Sequence, residues 1–275
     1  MDCRGLSLPR GVDISGARFS EIDLSFSEMH GIHLERCRFA QVSLRQVETS
    51  YWNERFCYFE DVDFSGAKML DAALGMRPST YNRVAFCDVD FSGAHIVCAD
   101  FTSCDFSRAK LERLDFGGSR FVDCRFAGRL EEVWFNAYAR FPSDRKLCGE
   151  NSRNEMSGVD FSEAELWDVM FTGGIDLSTV VLPQDGSHLL FRRFDLVLKQ
   201  ASEMLASLAW PETLRRRAEI LINSYRGHAA KQPIYIVNRR EIAQWMGERP
   251  AVELLDLLLR LDEHIGDSKG SEEGG

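Results

Sequence analysis

The sequence is poor in the features that mark an enzyme, a membrane protein or a metal-stabilised domain. It has eight cysteines, but no C-x-x-C pair that would give a zinc-ligand spacing. No apolar run approaches the roughly 18 residues of a membrane-spanning helix. Met1-Asp2-Cys3-Arg4-Gly5 lacks the charged-then-apolar layout of a secretory signal, so a cytosolic protein is expected. No G-x-S-x-G, P-loop, H-E-x-x-H or G-x-G-x-x-G segment occurs, and His30, His33, His95, His188, His228 and His264 share no spacing. The sequence therefore assigns no catalytic, metal-binding or cofactor-binding residue, and neither an enzyme activity nor a cofactor is expected. A net charge of -10 and a pI near 5.2 make direct nucleic-acid binding by the whole molecule an unfavourable reading.

What the chain does have is a period of five. Phe91, Ile96, Phe101, Phe106, Leu111, Phe116, Phe121 and Phe126 recur at that interval. Two positions before most of them stands a small or modest side chain: Val89, Ala94, Ala99, Cys104, Ala109, Ser119, Cys124. Neither the 3.6-residue turn of a helix nor the two-residue alternation of a strand generates that spacing. It is an internal repeat, and it decides the fold. Cys37 and Cys57 are twenty residues apart, as are Cys104 and Cys124, each two positions before a phenylalanine. A coil of twenty residues would stack like on like. Cysteines in these slots read as small buried hydrophobes; Cys3 and Cys148 lie outside the register.

Units such as Val89-Asp90-Phe91-Ser92-Gly93, Ala99-Asp100-Phe101 and Cys104-Asp105-Phe106-Ser107 resemble the A-(D/N)-(L/F)-x-x unit of the pentapeptide-repeat family. The resemblance implies a mainly β fold, a right-handed quadrilateral β-helix in which five residues make one side and twenty make a coil. That solenoid is expected over residues 1–182, followed by a small α-helical domain at 187–265 and a disordered tail at 266–275. Its well-known members protect DNA gyrase and topoisomerase IV from poisons, mimic duplex DNA and dimerise through a C-terminal helix. The resemblance thus implies a non-enzymatic scaffold with a protein partner such as gyrase or topoisomerase IV. Asp63 and Asp90 hold the family's acidic slot, yet Arg38, Lys68, Lys110, Arg120 and Arg125 stand in equivalent slots.

The period is interrupted three times. Thr49 and Glu54 take central slots and are expected to turn outward, because a buried unpaired carboxylate is costly. From Leu74 to Phe86 the spacing is twelve, and an insert rich in turn-forming residues predicts a loop at 75–85 that includes Arg77. From Ala127 to Ser157 the pattern fails, with Glu131, Asn136, Lys146 and Asn151 falling in central slots. A long insertion in a solenoid reads as a surface loop that carries function. Trp134, Phe135, Tyr138, Arg140, Phe141, Asp144 and Arg145 of that loop are the candidate partner-binding residues, together with Arg77, Asp63 and Asp90.

Beyond Gly186 the pattern becomes helical. Helices are expected over 188–210, 213–227 and 239–246, with an extended Pro233–Val237 between the last two. Val252–Leu261 is apolar nearly all round, which requires burial in a core or a partner; Leu254, Leu255, Leu258 and Leu261 are the candidate dimer contacts. Arg192-Arg193, Arg215-Arg216-Arg217 and Arg239-Arg240 give this part a cationic character. They leave open two other readings: an adaptor that binds a different protein, or nucleic-acid binding through the basic helices.

Overall fold

The computed structural model describes residues 1–75, 77–149 and 153–270, for 267–270 the backbone alone. They form two compact units. One comprises Met1–Phe171 with Thr179–Pro183; the other comprises Thr172–Ser178 and the described residues from Gln184 on.

The first unit is a parallel β-solenoid. One side is a five-stranded ladder of Asp13–Ser15, His33–Glu35, Asn53–Arg55, Ala73–Leu74 and His95–Ile96. The next side is a six-stranded ladder from Arg18–Asp23 to Arg120–Val122. Register confirms the twenty-residue coil: Phe19 pairs with Phe39, and Phe39 with Phe59. Corners fall between the sides, where residues such as Arg36, Phe56 and Asp61 adopt left-handed backbone with φ of 53°, 55° and 53°. The Asp-x-Ser sequence builds the approach to a corner. In units such as those of Asp63 and Asp90 the carboxylate accepts the N–H two residues on, from Ser65 at 2.8 Å and from Ser92 at 2.9 Å. This local bond competes with extended structure and turns the chain.

The core consists of stacked rings. Phe19, Phe39, Phe59, Tyr81, Phe101 and Phe121 form one column with centroids 4.6, 4.9, 4.9, 4.8 and 5.1 Å apart. Phe64, Phe86, Phe106, Phe126 and Phe161 form a second, spaced 5.5, 5.0, 4.8 and 5.0 Å. Rings of different columns meet edge to face, as Phe101 and Phe106 do at 80°. Both arrangements suit the ring quadrupole, and each pair contributes about 0.5–1.5 kcal/mol beyond area burial.

All three expected interruptions take a different form. Thr49 and Glu54 point inward and are fully buried. The Glu54 carboxyl does not remain unpaired: Tyr81 Oη donates to its Oε1 at 2.5 Å and the Gly75 N–H at 2.8 Å. Burial raises its pKa to about 7, against the smaller opposing pull of the Tyr81, Gly75 and Ser79 hydrogen bonds. It is therefore about half protonated at neutral pH and largely protonated below it, and the neutral acid escapes the cost of a buried charge. The loop at 75–85 is shorter than expected. Tyr58 pairs with Thr80, and Thr80–Asn82 is a strand with Tyr81 buried, so this coil has simply gained two residues.

The third break is a shift of frame. Leu111 pairs with Leu130, and Phe116 stacks on Phe135 at 5.2 Å. Both intervals are nineteen, so this coil has lost one residue. Leu130 and Phe135 take the inward slots assigned to Glu131 and Asn136, and strands Arg125–Glu131 and Trp134–Asn136 continue the solenoid through the expected loop. Only the stretch after Asn136 leaves it. That stretch carries a short helix, α1 (Pro142–Cys148). Lys146 lies in α1, and Asn151 lies outside the described residues.

In the second unit, strands His188–Phe191 and Tyr235–Asn238 pair antiparallel, so the helix expected from 188 begins only at Phe194. Helices α2 (Phe194–Met204), α3 (Glu212–Ala229), α4 (Arg239–Met246) and α5 (Glu248–Gly270) complete it. Phe194, Val197, Leu198, Ile222, Ile242 and the leucines of α5 share one core. The expected last repeat at Ile175 groups with this unit: Gln232 Oε1 accepts from the Ile175 N–H at 2.8 Å and its Nε2 donates to the Ile175 carbonyl at 2.7 Å. The tail expected from 266 is also corrected, since α5 continues through Gly270; residues 271–275 lie outside the described residues.

Candidate protein-binding surface

The excursion that follows Asn136 is an arm held against one corner of the solenoid. Cys148 at the end of α1 forms a disulfide with Cys98, with Cα atoms 4.9 Å apart. Val97, Cys98, Ala139 and Cys148, flanked by Leu147, form a small apolar cluster beneath it. Arg145 Nε donates to the Ala139 carbonyl at 2.8 Å. The approach needs a glycine: at Gly118 (φ +68°) a Cβ would stand 2.6 Å from the Ala139 nitrogen. With its base fixed, the arm exposes Tyr138 at 44% and Phe141 at 54%. The Arg140 guanidinium sits 5.8 Å from the Phe141 ring centroid. Aromatic and arginine side chains presented on a fixed support are the composition of protein-interface hot spots.

The other candidates divide. Phe135 is wholly buried in the stacked core and Trp134 is half-buried in its strand, so neither belongs to a projecting loop. Asp144 lies in α1 beside Arg145. Arg77 is exposed on the same corner as the arm, one coil from its anchor at Cys98 and against the Phe56 ring. Asp63 and Asp90 are committed to their turns. Partial burial works to raise both, but hydrogen bonds from Ser65 and Arg45 to Asp63, and from Ser92 to Asp90 with the nearby Lys110 charge, hold their carboxyls below the ordinary range. Leu254, Leu255, Leu258 and Leu261 are buried within their own chain, which corrects their reading as a dimer interface: a leucine filling its own core has no face left for a second copy.

Cys98 is the residue missed from the sequence. The repeat cysteines Cys37, Cys57, Cys104 and Cys124 occupy the inward slot two before the central residue. Cys98 stands one position earlier than that slot, at a corner with φ +62°, which puts it outside the register as Cys3 and Cys148 are.

The charges of the solenoid are interleaved. Cations meet acids of the neighbouring coil: Arg45 with Asp63 at 2.7 Å, Lys68 with Glu48 at 2.6 Å, Arg83 with Asp61 at 2.6 Å, Arg108 with Asp88 at 2.7 Å and Arg120 with Asp100 at 2.8 Å. The columns of family-slot aspartates are thus broken by arginines and lysines rather than forming a continuous anionic stripe.

A fold of stacked five-residue sides defines a quadrilateral parallel β-solenoid, a scaffold whose interior is filled by its own side chains. The repeats themselves are pentapeptide repeats: residues 86–127 match the family model of that description, in eight copies. The matched stretch lies within the longer parallel β-solenoid, which has the fold of a pentapeptide-repeat β-helix. Similar solved structures include a trypsin-treated variant of QnrB1, a plasmid-mediated fluoroquinolone resistance protein, at 16% identity and TM-score 0.38, covering 76% of this chain and 95% of that one. A second trypsin-treated QnrB1 variant is similar at 18% identity and TM-score 0.24, covering 76% and 96%. HetL, a pentapeptide-repeat protein involved in heterocyst differentiation regulation from the cyanobacterium Nostoc sp. strain PCC 7120, is similar at 15% identity and TM-score 0.26, covering 66% and 86%. No curated protein sequence matches.

Proposed function

We propose that this protein is a non-enzymatic scaffold that binds a type II DNA topoisomerase through the arm at 138–148 and protects it from a poison. The observation that carries the proposal is the arm itself, with Tyr138, Arg140 and Phe141 exposed on a base fixed by the Cys98–Cys148 disulfide. Fixing a contact loop before binding reduces the ordering cost of association. The partner class comes from the family resemblance and from the fluoroquinolone resistance named for QnrB1. The interleaved ion pairs favour contact through the arm over imitation of duplex DNA, whose backbone carries one negative charge per about 1.7 Å.

The test is gyrase supercoiling in the presence of a quinolone, with the intact chain, with Tyr138→Ala/Phe141→Ala, and with Cys98→Ser/Cys148→Ser. Rescue by the intact chain that falls about tenfold or more in the aromatic double variant is expected, with a smaller loss when the disulfide is removed. Absence of rescue and of any inhibition by the intact chain would sink the topoisomerase reading. In that event the adaptor reading gains, because Trp245 on α4 and Ile220 on α3 are each half exposed.

A further inference from the structure

One corner of the N-terminal coils departs from the pattern of paired charges. Arg36-Cys37-Arg38 lies directly above Phe56-Cys57-Tyr58, twenty residues later. The two cysteines point inward and are buried. The four outer side chains stack in pairs, with the Arg36 guanidinium carbon 5.3 Å from the Phe56 ring centroid and that of Arg38 4.4 Å from Tyr58. Arg77 approaches the same Phe56 ring at 5.8 Å from the next coil. Arg55 adjoins them, lining a shallow groove of about 340 Å³ on the neighbouring side. Phe56 remains 41% exposed beneath two arginines.

Four arginines and two aromatic rings thus form a cationic ridge on a chain of net charge -10. Arg36 pairs with Glu35, and Arg38 pairs with Glu60 at 3.2 Å. Both pairs are exposed, and such pairs are worth at most about 1 kcal/mol, so a better-placed carboxylate can exchange into them. Arg55 and Arg77 have no ion pair among the described residues. A guanidinium stacked on a ring keeps its in-plane N–H groups free, and these match a carboxylate in a bidentate fork.

We infer that this corner is a docking surface for an acidic, extended protein segment, whose carboxylates bind Arg36, Arg55 and Arg77 while its apolar side chains cover Phe56. The ridge is narrow. The adjoining corners, one five-residue side or at most about 17 Å away, carry Glu21 and the Asp61–Arg83 pair on one hand and Asp71 on the other. A duplex would press phosphates against those carboxylates, whereas a single peptide strand stays between them. The ridge and the arm share one corner, with Arg77 one coil from the arm's anchor at Cys98, but each is removed by its own substitutions, and the proposal does not depend on the topoisomerase reading.

The test is fluorescence anisotropy of a labelled peptide of about twelve residues alternating Glu and Leu, titrated with the full-length protein at low salt. A labelled oligo-dT of equal length and a short duplex serve as competitors. Saturable binding to the peptide is expected, weakened about tenfold or more by Arg36→Ser/Arg77→Ser and about threefold by Phe56→Ala. Arg108→Ser/Arg129→Ser, which removes exposed cations elsewhere on the solenoid, should change it less than about twofold. Unchanged far-UV circular dichroism establishes that each variant is folded, and Arg55→Ser offers a milder second probe. Three results would overturn the inference: no saturable binding by the intact chain, equal losses in the ridge and control variants, or tighter binding of either nucleic acid than of the peptide.

Discussion

Two stretches of the solenoid obey the same geometry with different sequence discipline. Between Val84 and Phe126 the five-residue period is unbroken, and Phe86, Phe101 and Phe106 each stack on a ring twenty positions on. Between Phe126 and Phe161 one coil loses a residue and an arm is inserted. Yet Phe135 still stacks at 5.2 Å on Phe116 and at 5.3 Å on Phe171. The difference teaches that the invariant of this fold is the inner column of side chains rather than the count of residues around the coil. A residue can be dropped at a corner if the next large apolar side chain then reaches the inward slot.

The strongest test of that comparison uses two phenylalanines six residues apart. Phe135→Ala should cost about 3–5 kcal/mol, as deletion of a buried aromatic does, and Phe106→Ala in the regular stretch should cost the same. Phe141→Ala should stay within about 0.5 kcal/mol. Urea unfolding of the three variants measures this. Equality of Phe135→Ala with Phe141→Ala would mean the irregular coil is not part of the core.

A smaller effect is expected where the inner column holds an acid. The pKa of Glu54 is raised to about 7 from 4.5, so between those values the folded state retains a proton that the unfolded chain has released. Its contribution is fully present below the unfolded pKa and is lost as pH rises through the folded one. The loss amounts to about 3 kcal/mol by pH 8. Glu54→Gln should remove this part of the pH dependence, so that wild type and variant diverge between pH 5 and pH 8 in urea titrations. Parallel curves would show that Glu54 does not titrate with folding.

The smallest effect belongs to the outer surface. Arg108→Ser removes an exposed pair with Asp88 and should lower stability by less than about 1 kcal/mol. A cost near that of Phe135→Ala would move the source of stability from the rings to the charges.

The regular half was legible because its period comes from side chains alone: Phe91 to Phe126 cannot all face inward in any helix or flat strand. Three things were not legible, each for a physical reason. Glu54 was expected to turn outward because a buried charge is costly, while its inward neighbours Tyr81 and Gly75 belong to a coil whose register depended on the insert after it. Leu130 and Phe135 were hidden because counting by five from Phe126 carried the frame past a missing residue. The arm was recognised as a protruding aromatic segment, but its anchor at Cys98 comes from fifty residues upstream, a distance that no local pattern encodes. In the helical unit, the leucines of α5 required a partner; the sequence could not tell whether that partner was another molecule or α2 and α4.

The twenty-residue coil also has a genetic consequence. A duplication of about sixty nucleotides adds one coil, roughly 4.8 Å of length, and leaves every stacked pair above and below it in register. Length can therefore change in whole steps without redesign of the interior. Coils of nineteen and twenty-two residues do not interchange so freely, since an unequal crossover between them and a regular coil would displace a ring. The irregular coils beside Glu54 and Phe135 would then mark the places where this gene no longer grows or shrinks by recombination, and the even stretch between them the place where it still can.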